Sequence, residues 1–115
     1  MNTDNDRIAA FEAMLARGQD SEMLRYTLGN ACLDSGRHQD AIEHLTRAVE
    51  QKPDYTAAWK LLGRAHAAAD DAHAAVAAFD RGLEAGDKNG DKQSIREIEV
   101  FRRRALKTLD DQARS

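Results

Sequence analysis

Moved along itself by 34 residues, this chain brings its small and apolar positions into register. Leu28 and Gly29 fall on Leu62 and Gly63, Ala31 on Ala65, and Ala41 on Ala75. Ile42 then falls on Val76, Leu45 on Phe79, and Val49 on Leu83. Internal repetition of this length constrains a fold more than any local motif does. Each unit is too small to bury its apolar face alone and must stack on a neighbour.

The repeated unit reads as helical. One proline and 5% aromatic residues, against abundant Ala, Leu, Glu, Arg and Lys, favour helix over sheet. Apolar residues three and four apart, read between caps and breakers, predict six helices. The first spans about Asp6 to Arg17 with Ile8, Phe11, Met14 and Leu15 on one face. Thr3 and Asp6 form its capping pair and Gly18 its stop. Asp20 or Ser21 caps a second helix from Glu22 to Asp34, which carries Leu24, Leu28, Ala31 and Cys32 and ends at Ser35-Gly36. The third runs from His38 to Gln51 on Ala41, Ile42, Leu45, Ala48 and Val49, before Pro53-Asp54 breaks the chain.

A fourth helix begins at Tyr55 or Thr56, turns Ala58, Trp59, Leu62 and Ala65 inward and ends near Ala69. Asp71 caps a fifth, carrying Ala75, Val76, Phe79 and Leu83. Gly86-Asp87-Lys88-Asn89-Gly90 is the strongest turn signal in the chain. The sixth helix runs from Lys92 to Leu109 with Ile95, Ile98, Phe101, Ala105, Leu106 and Leu109 on one face. Such short connections make consecutive helices antiparallel.

Trp59-x-x-Leu62-Gly63-x-x-His66, followed by Ala75-x-x-x-Phe79, resembles the tetratricopeptide repeat, whose pattern is Trp, Leu-Gly, Tyr, then Ala, Phe and Pro. Leu28-Gly29, Gly36, Ala41, Leu45, Ala48 and Pro53 stand at matching places in the first unit. The departures are Arg25 for the Trp and Cys32 for the Tyr in the first unit, and His66 for the Tyr and Asp87 for the Pro in the second. The resemblance is to small stand-alone bacterial members of the family. It implies an all-α superhelix of antiparallel helix hairpins. Gly29, Gly63, Ala41 and Ala75 sit where the helices of a hairpin approach closely, and Trp59, Leu62, Phe79 and Leu83 fill the space between hairpins.

The same shift locates the ends of the array. Backwards, Ile8, Phe11 and Leu15 fall on Ile42, Leu45 and Val49, so the first helix takes the place of a preceding hairpin's second helix. Forwards the register slips by two residues, and Ile95, Ile98 and Phe101 fall on Trp59, Leu62 and Ala65. Glu99 replaces the glycine there, which suits a solvating cap. The expected organisation is a single domain over 1–115, with a lead helix at 6–18, repeats at 22–55 and 56–89, and a capping helix at 92–109.

Several function classes are excluded by this sequence. It has no Gly-rich phosphate loop, G-x-S-x-G, H-E-x-x-H or paired-cysteine spacing. Its single cysteine, Cys32, cannot make an internal disulfide and is turned toward the hairpin interior. His38, His44, His66 and His73 never pair four residues apart. No enzyme activity, cofactor or metal is expected. The net charge of −3 is mildly polarised, with −3 over residues 1–34 and +2 over residues 90–115, far from the basic footprint of a nucleic-acid binder. No apolar run is long enough to cross a membrane. The polar, acidic start from Met1 to Asp6 is unlike a signal peptide, so a cytoplasmic location is expected.

In the family it resembles, the first helices of the hairpins line a concave face that takes an extended peptide or a partner helix. That face maps onto Met23, Tyr26, Asn30, Leu33 and Asp34, then Lys60, Leu61, Arg64 and Ala67, and finally Arg96, Val100 and Arg103. Tyr26, Asn30, Lys60, Arg64 and Arg96 are the expected binding residues for a protein or peptide. Lys60 and Arg64 lie four residues apart on one face and, with Asn30 and Arg96, make a cationic strip suited to a carboxylate. A helix face kept charged for solubility is the plainer alternative. The family's carboxylate clamp for chaperone tails is not reproduced. Only Asn30 matches it, while Tyr26, Leu61, Gln93 and Glu97 replace its lysine, asparagine, lysine and arginine.

The main alternative is assembly through end or convex surfaces, as a homo-oligomer or a subunit, using exposed apolar residues such as Met14 and Leu109. A monomer or weak homo-oligomer is expected. A weaker alternative is anion or nucleic-acid contact through Arg102-Arg103-Arg104 and Lys107. No aromatics interleave that cluster and Asp110-Asp111 follow it, so it reads first as a solvated cap face.

Overall fold

Local capping chemistry marks three of the helix starts. Ser21 accepts a hydrogen bond from the Leu24 N–H at 3.1 Å, Asp71 from Ala74 at 3.0 Å, and Asp91 from Ser94 at 3.1 Å. In the computed structural model, which describes residues 3–115, the helices are α1 (Thr3–Ala16), α2 (Glu22–Asp34), α3 (His38–Gln51), α4 (Thr56–Ala68), α5 (Ala72–Asn89) and α6 (Lys92–Ala113). Met1 and Asn2, at the acidic start, lie outside the described residues.

The helices α2, α3 and α4 follow the sequence expectation closely, and three others depart from it. Thr3 is helical rather than a cap, and α1 places Asp4 and Asp6 in its first turn, at the positive end of its dipole. It ends at Ala16, before Gly18 turns at φ 85°. The glycine-rich tract at 86–90 is not a five-residue turn, because α5 continues to Asn89 and only Gly90 turns, at φ 68°. Gly86 is there for packing. A Cβ on it would lie 2.8 Å from Ile95 Cγ1. Asn89 then fixes the last turn of α5 by donating to the Asp54 carbonyl at 2.9 Å and to Thr56 Oγ1 at 3.1 Å. The sixth helix runs past Leu109 to Ala113, supported by Lys107–Asp111 at 3.0 Å and Arg114–Asp110 at 3.3 Å.

Within each hairpin one large side chain enters a glycine notch. A Cβ on Gly29 would overlap Leu45, and one on Gly63 would overlap the Phe79 ring. Ala41 and Ala75, at equivalent places on the partner helices, are fully buried. The core runs from Ile8 of α1 through Leu28, Leu45 and Leu62 to Phe79 and Ile98.

Between hairpins, α4 packs on both α2 and α3, and α6 on both α4 and α5. The helices α2, α4 and α6 therefore form a touching inner layer, while the α3 and α5 backbones stay more than 8 Å apart between Cα atoms. An inner layer that closes and an outer layer that splays produce a curved sheet of helices. Its shortest dimension of 20 Å corresponds to two helix layers.

Candidate functional site

The expected binding residues stand on the inner helices α2, α4 and α6 and are treated unequally. On α2, Tyr26 is half-buried and stacks on Tyr55, with ring centroids 5.2 Å apart and planes at 26°. The Lys52 ammonium lies 5.1 Å from the Tyr55 ring centroid. Asn30, one turn on, is half-buried and makes no side-chain hydrogen bond among the described residues. Met23 shares that side of α2 by its spacing and is 70% exposed.

On α4, Lys60 is not a free cation. Its ammonium reaches Glu97 of α6 at 3.1 Å. Arg64 is exposed, with its guanidinium 5.1 Å from the centre of the Phe101 ring. Arg96 of α6 is exposed and pairs with no acid among the described residues. The cationic strip thus contains Arg64 and Arg96 but loses Lys60 to an acid of the chain itself. Leu61 is a second correction, being buried in the core rather than presented on the face. Val100 of α6 is exposed there instead.

The other expected surfaces also change. Met14 and Leu109 are half-buried rather than exposed, because α1 leans on α2 and α6 is anchored along α5. Leu106, expected inward with Ile98 and Ala105, is left in solvent by α6, as Val100 is. The arginine run is dispersed by helical rotation. Arg102 pairs with Asp80 of α5 at 2.6 Å, Arg104 lies 5.5 Å from the Phe101 ring centroid, and Arg103 is exposed. Among the described residues no helix is long and apolar enough to cross a membrane, and no three His, Cys, Asp or Glu side chains cluster as metal ligands.

Cys32 is fully buried, and burial pushes its thiol above the ordinary range. Burial also pushes the half-buried His66 down, against the pull of Asp71.

Two features were missed from the sequence. The first is a polar network around Arg25, the residue at the repeat's Trp place. Arg25 donates to both Asp20 oxygens, at 2.9 and 2.8 Å, and contacts His44 Nδ1 at 3.0 Å, while Gln51 also donates to Asp20 at 2.9 Å. The Arg25 and Gln51 hydrogen bonds hold the Asp20 carboxyl down at about 2. The second is an open pocket of about 350 Å³ where α4, α5 and α6 meet, with Arg64, Asp70, Phe79, Phe101, Arg104 and Thr108 among its walls. Arg64 and Phe101 signal it only once α4 and α6 are known to touch.

The family model of the tetratricopeptide repeat matches residues 8–56 and again 26–90. The chain belongs to the tetratricopeptide repeat family. A TPR repeat-containing protein of Pseudomonas aeruginosa is 47% identical to it over 97 residues, covering 84% of this chain and 92% of that one. The solution structure of a Bordetella parapertussis protein is 37% identical, with a TM-score of 0.75 over 87% of both chains. The TPR2B domain of yeast Sti1, solved as its pHsp70 complex, shares the fold at 18% identity, with a TM-score of 0.84 over 91% of this chain and 84% of that one. The tetratricopeptide fold is a protein-interaction scaffold, and here it places α2, α4 and α6 as its inner helices.

Proposed function

We propose that this tetratricopeptide chain is a cytoplasmic, non-enzymatic adaptor that binds a peptide or partner helix along the face of α2, α4 and α6. One observation carries the reading. The inner face combines exposed apolar side chains, Met23 and Val100, with Asn30, Arg64 and Arg96, whose side-chain polar groups have no ion-pair or hydrogen-bond partner among the described residues. Apolar anchors beside unengaged donors supply the two contributions a peptide needs, burial and hydrogen bonding. Lys60, engaged by Glu97, acts as a strut between α4 and α6 rather than as a ligand.

Photo-crosslinking in cells tests the proposal. Crosslinkers placed at Asn30 and Arg96 should capture a protein partner, whereas those at Glu43 and Glu84, exposed on α3 and α5, should not. Partner capture confined to Glu43 and Glu84 would place binding on the outer layer and sink the reading.

A further inference from the structure

We infer that the pocket between α4, α5 and α6 receives an apolar side chain and the adjoining Asp or Glu of an acidic peptide segment. This inference rests on the inner-face reading and names the partner chemistry at one end of that face.

The pocket arises because α6 outruns α4. Arg104, Thr108 and Gln112, four residues apart along α6, face Ala67, Asp70 and Ala72 around the α4–α5 turn. Its base is apolar, formed by buried Phe79 and Ala105 with Phe101, and its volume of about 350 Å³ accommodates one large side chain with a neighbouring group. Its rim is charged. The Arg64 and Arg104 guanidiniums lie 5.1 and 5.5 Å from the centroid of the same Phe101 ring, and neither has an acid partner among the described residues. A guanidinium held against an aromatic face keeps its N–H edge available, and that edge fits a carboxylate fork.

Asp70 supplies a separate observation. It has φ 63°, the only positive φ among the described non-glycine residues, where the first repeat uses Gly36 at φ 77°. The left-handed region favours glycine, and here it carries a side chain whose carboxylate stands on the pocket wall with no partner among the described residues. Two arginines against one aspartate leave the rim at a net +1. That charge matches a single carboxylate next to an apolar group. A phosphate dianion would face Asp70 with excess negative charge.

The test is an NMR titration of the intact chain, following backbone amides, with acetylated and amidated hexapeptides of Gly and Ser that carry Leu-Asp, Leu-Asn or Ser-Asp at their centre. Inorganic phosphate is titrated in parallel. The Leu-Asp peptide should shift Ala67, Asp70, Phe101, Arg104 and Thr108, and each control should bind at least tenfold more weakly. Arg64→Gln with Arg104→Gln should weaken the Leu-Asp peptide at least tenfold, and Asp70→Asn should tighten it severalfold. The opposite signs separate a binding effect from simple loss of folding.

Equal binding of the Leu-Asn peptide, or tighter binding of phosphate, would overturn the inference. So would shifts at these residues that appear on concentrating the chain without peptide, because the occupant would then be a second copy. If the pocket ignores every peptide while crosslinks still form at Asn30 and Arg96, the inference fails and the inner-face reading stands. If crosslinks form only on the outer layer, both fail.

Discussion

The hairpins α2–α3 and α4–α5 share one backbone plan and stabilise it by different chemistry. Both close a glycine notch with a large side chain, Leu45 on Gly29 and Phe79 on Gly63. They diverge at the outer end of the notch helix. In the second hairpin Trp59 donates its indole N–H to the Pro53 carbonyl at 2.8 Å, and the Arg81 guanidinium lies 4.9 Å from its ring centroid. In the first hairpin Arg25 stands in that place and is held by Asp20 and His44. The fold therefore requires the notch and tolerates either an aromatic ring or an ionic network beside it. The cost of the ionic version is sensitivity to acid.

The largest expected effects are in the notches. Phe79→Ala removes a ring that is 1% exposed and should cost about 3–5 kcal/mol, read from urea midpoints. Leu45→Ala, deleting a smaller side chain, should cost less. Equal losses would mean that the two notches are filled equally tightly. Overpacking is the converse. Gly63→Ala should cost about 1–3 kcal/mol despite the better helix propensity of alanine, because the new methyl group overlaps three atoms of a buried, rigid ring. Gly29→Ala should cost less, since Leu45 can change rotamer.

Acid should separate the hairpins next. Arg25 can only donate, so His44 Nδ1 accepts, and protonating that ring would set two cations 3.0 Å apart. Burial first, and then Arg25, push the His44 pKa below its ordinary 6.5. The unfolded chain then binds the proton more readily, so stability is full above that ordinary value and falls as pH drops below it. His66 is pushed the same way by burial, but Asp71 opposes the shift. The urea midpoint of the chain should therefore fall between pH 7 and pH 5. His44→Gln, which keeps an acceptor for Arg25, should remove more of that fall than His66→Gln. Asp20 adds its own loss at lower pH, as the carboxyl protonates between 3.8 and about 2.

Helix existence was legible because caps and apolar spacing are local properties. Ser21, Asp71 and Gly36 each act through neighbours within four residues. What escaped was set by contacts between distant segments. A glycine has the same appearance in a turn as in a notch, and only the approach of Ile95 distinguishes Gly86 as packing. Lys60 looked free because Glu97 lies across the hairpin on α6, at a position set by the register slip after the second repeat. The Arg25 network draws on Asp20, His44 and Gln51, which come together only when α2 and α3 fold back on each other.

The smallest expected effect concerns the turn that closes each hairpin. Gly36 and Asp70 occupy the same place in the two repeats, both with positive φ. Asp70→Gly removes a strained side chain but adds flexibility to the unfolded chain, so it should stabilise by only about 0.5–1 kcal/mol. Gly36→Asp should destabilise by a similar amount. If Asp70→Gly instead lowers the urea midpoint, the aspartate is stabilising the turn, and its retention at a left-handed position would be structural. A stabilised Asp70→Gly protein would instead mean that the second repeat carries an aspartate against its own stability. The strain would then belong to the pocket wall that the carboxylate occupies.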